Sequence, residues 1–136
     1  MNAPTTARPR MQPFLPATAD FARGTDSPRD FLERCITQID AWEPRIGAFV
    51  ALNLEAARAA ADRSTERWRA GKPLSPIDGM PIGVKDIIET IDMPTENGSP
   101  LFAGFRGNRD GASVAALREA GAVIVLLISA VICGSL

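Results

Sequence analysis

An α/β fold follows from three observations on this 136-residue chain. Apolar residues recur at helical spacing between Phe31 and Trp42, a short run that opens apolar and ends in Lys85-Asp86 covers residues 82–86, and an uncharged run covers residues 122–128. The two runs are joined by a long connection with helical character at its end. Strand, helix-bearing connection, strand is a crossover, and a crossover calls for parallel pairing in a sheet with helices on its faces.

The elements can be justified in order. Residues 1–24 carry prolines at 4, 9, 13 and 16 and are expected to form a disordered tail, with the domain proper at 25–136. The prolines forbid the amphipathic helix of a transit peptide, and there is no apolar core of a secretory signal. Ser27 as N-cap, Pro28 at the first helical position and Asp30 at the third then open a helix. Phe31, Leu32, Cys35, Ile36, Ile39 and Trp42 form its apolar stripe. Glu43-Pro44 is expected to end it, because the residue before proline resists helical geometry. Residues 46–52 read as a brief strand.

Asn53 is expected to cap an alanine-rich helix that runs to about residue 70, with Gly71 as its stop. Alanines 56, 57, 60 and 61 imply close packing of that helix against another element. Residues 72–81 read as a turn-rich loop and residues 82–86 as a strand. Residues 89–109 lack periodicity and contain Pro94, Gly98, Pro100, Gly104 and Gly107, so a long irregular connection is expected there. A third helix spans about residues 110–120, with Asp110 as its cap. The 122–128 run reads as a fully buried strand; in a remnant that lacks the later strands of a parallel sheet it is expected to be an unpaired edge, a site prone to aggregation. The seventeen uncharged residues 120–136 also approach the length of a membrane span, but they lack basic flanks and contain Gly121 and Gly134. A buried strand is the preferred reading over membrane insertion.

Composition narrows the chemistry. A net charge of −1 gives no basic surface for nucleic acid. With no histidine, Ser-His-Asp catalysis and the usual zinc sites are excluded within these residues. Cys35 and Cys133 have no metal spacing and read as free thiols of a reducing cytoplasm. Asp78, Asp86, Asp92 and Asp110 are better read as solvated or capping groups than as metal ligands, and Trp42 and Trp68 as core anchors. The glycines form no phosphate loop, because no Gly-Lys-Ser/Thr follows them.

One residue stands apart. The chain has two lysines, Lys72 and Lys85, against thirteen arginines, and Lys85 ends the apolar run Gly79-Met80-Pro81-Ile82-Gly83-Val84. An ammonium there must reach water, find a partner or lose its proton, and a lysine that loses its proton is a general base. Pairing with Asp86 is disfavoured, since adjacent strand residues point to opposite faces.

The segment Gly79-Met80-Pro81-Ile82-Gly83-Val84-Lys85-Asp86 resembles the lysine segment of the amidase signature family. Thr95 and Gly98-Ser99 follow at the matching distance. Asp110, Val114, Leu117 and Ala120-Gly121-Ala122-Val123-Ile124 are similar to the family's next helix and strand, so the resemblance covers about residues 25–125. It implies the N-terminal part of the family's fold: helices packed on a mixed, partly parallel sheet, incomplete here. It also implies hydrolysis of small-molecule carboxylic amides through a serine acyl-enzyme, with Lys85 as the base acting through a bridging serine and no cofactor or metal. A homodimer is compatible with this reading.

Two departures matter. The family's serines lie in a Gly/Ser-rich segment well beyond the lysine, and only 51 residues follow Lys85 here. Ser99 matches a turn position, and Ser135 lacks the glycines of an oxyanion hole. The family pattern also breaks near Val125, where Leu126-Leu127-Ile128 stands in place of a Gly-Lys-Thr-like turn. The expectation is therefore a truncated or frame-shifted chain, inactive alone. An aminoacyl-tRNA amidotransferase A-type subunit fragment and a non-catalytic remnant are the alternatives.

Overall fold

The computed structural model describes residues 11–129. Along them run α1 (Phe14–Arg23), α2 (Pro28–Ile46), β1 (Phe49–Leu52), α3 (Leu54–Arg69), β2 (Pro81–Lys85), α4 (Ala112–Glu119) and β3 (Val123–Ile128). A 3₁₀ turn at Pro100–Phe102 interrupts the connection between β2 and α4. The fold is mixed α/β, as the sequence predicts.

The sheet has the order β1-β3-β2, with β3 parallel to β2 and antiparallel to β1. The crossover from β2 through α4 to β3 thus gives the expected parallel pair. The expectation of an unpaired edge at 122–128 is wrong. β3 is the middle strand, and the open edges belong to β1 and β2. The reason lies in β1, whose four residues return antiparallel along β3 and cover its other side.

The apolar run of β3 serves two cores at once. Val123, Val125 and Leu126 pack with Leu32 and Ile36 of α2 and with Ala57 and Ala61 of α3. Ile124 and Leu127 face the opposite side, against Val84, Met93 and Val114. Strict alternation would send Val125 and Leu126 to opposite faces. A register break, in which Ile82 pairs with Ile124 but Gly83 with Leu126, turns both toward the helices. Ala57 and Ala61 are fully buried, so α3 lies close against the sheet, as its alanines predict.

The starts of α2 and α3 follow the sequence closely. The Ser27 side chain accepts the Asp30 amide, and that of Asn53 accepts the Ala56 amide at 3.3 Å. The expected end of α2 at Glu43-Pro44 is corrected: the helix continues to Ile46 and closes at Gly47, whose amide reaches Glu43 O. Pro44 falls in the last turn, where the missing N–H removes a single ladder bond.

The expected disordered tail at 1–24 is corrected for residues 14–23, which form α1; residues 1–10 lie outside the described residues. Pro13 is the N-cap and Pro16 sits in the first turn, where amides have no helical partner to lose. What holds α1 is aromatic packing. Phe21 lies 5.6 Å from Phe14, 6.2 Å from Phe31 and 5.8 Å from Trp68, centroid to centroid.

Candidate active site

Lys85 is the last residue of β2, and alternation decides its surroundings. Val84 and Asp86 on either side are buried, at 5% and 1% exposure, while Lys85 stands on the exposed face. Of the three outcomes open to an ammonium in an apolar strand, this one reaches water. Among the described residues its side chain has no ion-pair or hydrogen-bond partner, so the disfavoured pairing with Asp86 is absent.

The backbone around it is tightly held. Lys85 O accepts the amides of Ile87 at 2.8 Å and Ile88 at 3.0 Å, and the Asp86 amide donates to Ile128 O at 2.9 Å. On the buried face, Asp86 Oδ1 accepts the Glu96 amide at 2.8 Å and Oδ2 the Gly98 amide at 3.3 Å. The intervening Asn97 amide donates to Asp86 O at 2.9 Å. Asn97 and Gly98 take φ of 53° and 64° to turn these amides inward. Asp86 is therefore not the solvated group expected from sequence; it folds the Thr95–Gly98–Ser99 segment onto the end of β2.

Ser99 is where a turn residue should be. Its Oγ accepts the Leu101 amide at 3.3 Å and caps the 3₁₀ turn. Thr95 is buried, its amide bonded to Phe105 O, and its hydroxyl has no partner. Cys133 and Ser135 lie outside the described residues.

The other acids have structural work. Asp78 is wholly buried, and Arg67 grips it with two hydrogen bonds at 2.5 and 2.8 Å. Burial would raise its pKa, but the bonds from Arg67 and the Leu74 amide outweigh this and hold it below the usual carboxylate value. Asp92 binds Arg118 at 2.7 Å and the Asn53 side-chain amide at 3.1 Å. Asp110 does not cap α4, whose N-cap is Gly111. Instead it accepts the Ile91 amide at 2.8 Å and pairs with Arg118 at 2.9 Å, closing the base of the 89–110 connection. No cluster of potential metal ligands occurs among the described residues. Trp68 is an anchor, as expected, with Nε1 bonded to Asp78 O; Trp42 instead lies under the Arg45 guanidinium. Cys35 is a half-buried thiol whose pKa is pushed up by burial.

Residues 30–127 match the Amidase family model, which includes the Lys85 strand and both of its flanking segments. The chain belongs to the amidase family. The A-type component of the glutamyl-tRNA(Gln) amidotransferase from Chloroflexus aggregans is 44% identical over 105 residues, 77% of this chain and 22% of that protein. Its counterpart from Salinispora arenicola is 38% identical over 104 residues, covering 76% of this chain and 21% of the relative.

Amidase structures share the fold. The peptide amidase of Stenotrophomonas maltophilia superimposes with a TM-score of 0.78 at 29% identity, over 85% of this chain and 24% of that one. A chain from an inhibitor-bound vestigial complex, linked to the origins of an s-triazine catabolic enzyme, gives 0.80 at 29% identity over 87% and 26%. This chain thus spans about a quarter or less of the amidases it matches. Among the described residues, no helix is long and apolar enough to cross a membrane.

Proposed function

We propose that these residues form the lysine-bearing part of an amide-hydrolysing site, with Lys85 as the proton acceptor. The observation that carries the reading is the placement of Lys85: an exposed side chain without a partner among the described residues, on a hydrogen-bonded strand end, within the family-matched region. In the reaction a serine hydroxyl passes its proton through a bridging serine to the neutral lysine and attacks the amide carbonyl carbon. The C–N bond breaks, the departing amine takes the proton back, and water then hydrolyses the acyl-serine. No cofactor enters these steps.

A lysine becomes a base when burial or a neighbouring cation weakens its hold on the proton. Lys85 is uncovered among the described residues, so on this reading its cover and both serines would come from the remainder of an amidase fold. The 136-residue polypeptide by itself should not hydrolyse amides. Its addition to the separately expressed downstream part of the Chloroflexus aggregans relative should restore hydrolysis of glutamine. Lys85→Ala should then lower kcat by at least ~100-fold, the scale of a lost general base. Hydrolysis by the lone chain, or restoration that survives Lys85→Ala, would overturn the proposal.

The curated relatives favour a second reading at the same lysine. An amidotransferase of this type passes the released ammonia to a partner's substrate instead of releasing it to water. Copurification with a tRNA-binding partner supports this reading, and activity on diverse amides without a partner supports the hydrolase. A non-catalytic remnant is the outcome if neither is restored.

A further inference from the structure

We propose that Asp86 is a positioning residue for Lys85, fixing the direction in which the lysine side chain leaves the strand. The inference rests on the reading of Lys85 as proton acceptor and concerns how its placement is achieved.

Three consecutive amides, those of Glu96, Asn97 and Gly98, converge on this one residue. Two bind the carboxylate and the middle one binds the carbonyl. No cation pairs with Asp86 among the described residues, although it is 1% exposed. A group that merely filled space here would be apolar, as Val84 is two residues earlier, because a buried carboxylate is costly unless its oxygens are satisfied. What the carboxylate adds is direction. Backbone N–H groups are fixed donors, so an acceptor held by two of them cannot rotate without losing one.

The consequence falls on the peptide plane between Lys85 and Asp86. Its oxygen is held by the Ile87 and Ile88 amides and its nitrogen donates to Ile128 O. The next carbonyl is held by Asn97, and the Asp86 side chain by the amides on either side of it. With both sides of that plane pinned, the Cα–Cβ vector of Lys85 has one direction. A flexible four-carbon stem amplifies any error at its root, and a displacement of ~1 Å at a reacting group can cost ~100-fold in rate. Asn97 and Gly98, residue types that tolerate positive φ, take the left-handed conformation that turns these donors toward Asp86.

The test exploits the presence of two lysines in the sequence, Lys72 being an exposed control. The 136-residue chain is reductively methylated with ¹³C-formaldehyde. The two dimethyl-lysine signals are then compared between wild type and D86N, which keeps the shape but cannot accept at both positions. The expected result is a shifted and broadened Lys85 signal with Lys72 unchanged. Amide exchange at Glu96 and Gly98, whose amides bind the carboxylate, should quicken about tenfold or more, the loss of a hydrogen bond to a charged group. Exchange within β3 should stay as it was. An unchanged Lys85 signal would overturn the proposal, even with a loosened 95–99 segment. D86E supplies a second variant that retains the charge. Unfolding of both, or equal effects on Lys72 and β3, would make Asp86 a support of the whole fold and overturn it too. Neither readout needs turnover, so this result and the amide-hydrolysis result can fail separately.

Discussion

Two buried polar side chains make opposite predictions about stability. Asp78 sits at 0% exposure with Arg67, the Leu74 amide and the backbone of Gly121 around it. Truncation to alanine leaves the Arg67 guanidinium and the Leu74 amide facing a hole. Asp78→Ala should cost about 3 kcal/mol, the low end for a broken buried pair because Arg67 remains partly exposed. Its pKa is held below the free carboxylate value of 3.8, and that of Glu33 falls to about 2 through hydrogen bonds from Arg58 and Arg29. A carboxylate with a depressed folded pKa contributes stability that is present above its unfolded pKa and lost as pH falls through the folded one. The denaturation midpoint should therefore hold above about pH 5 and drop between about pH 4 and pH 2. Asp78→Ala should flatten that drop in a series of urea titrations. Thr95 is the opposite case: its buried hydroxyl has no partner. Thr95→Val keeps the shape and removes an unsatisfied group, so it should raise stability by about 1 kcal/mol, read as a Tm higher by about 4 °C or more. A lower Tm would show that the hydroxyl holds an ordered water.

Elements differ in how clearly the sequence announces them, and the difference has a physical cause. α2 and α3 are announced because their caps are local: Ser27 and Asn53 each bond an amide three residues on, a pattern visible in one dimension. α1 is hidden because its stabilisation is tertiary. It has no side-chain cap, its prolines argue against a helix, and its support comes from rings on α2 and α3. Phe21 is the anchor, at 1% exposure. Phe21→Ala should cost about 3 kcal/mol and release α1. Proteolysis between α1 and α2 should then precede global unfolding, whereas cleavage only on global unfolding would show that α1 is held by something else. The candidate site divides along the same line. Lys85 and the turn role of Ser99 are legible because strand alternation and a Gly-Ser turn are local. The burial of Asp86 is not, because its partners lie ten and twelve residues away, on a loop whose path depends on left-handed residues.

At the scale of the whole molecule, the sheet formed by the described residues is open on both sides, and the two edges are unequal. β2 begins with Pro81 and ends with Lys85, both of which discourage addition of another strand. β1 has no such guard: Val50 and Leu52 are 49% and 45% exposed, and Ile46 just before it is 59% exposed. Its backbone pairs on one side only, with β3. Self-association of the isolated chain should therefore proceed through β1, contrary to the sequence-based expectation that placed the exposed edge at 122–128. Val50→Lys sets a charge on the outer face of β1 without touching either core. It should shift the onset of light scattering to a concentration at least ~10-fold higher, a penalty of about 1.4 kcal/mol per contact for desolvating a charge between strands. Circular dichroism should be unchanged. The equivalent charge on the β2 side, introduced as Ile82→Lys, would strike the packing under β3 and lower stability instead. If Val50→Lys leaves association untouched, the contact is made elsewhere, and the exposed Leu101, Phe102 and Phe105 of the long connection are the next surface to charge. Covering by the rest of an amidase fold makes a further distinction. On the proposed reading, a partner that covers Lys85 should restore hydrolysis and should leave association through β1 in place, so turnover and light scattering should respond to different substitutions in the same preparation.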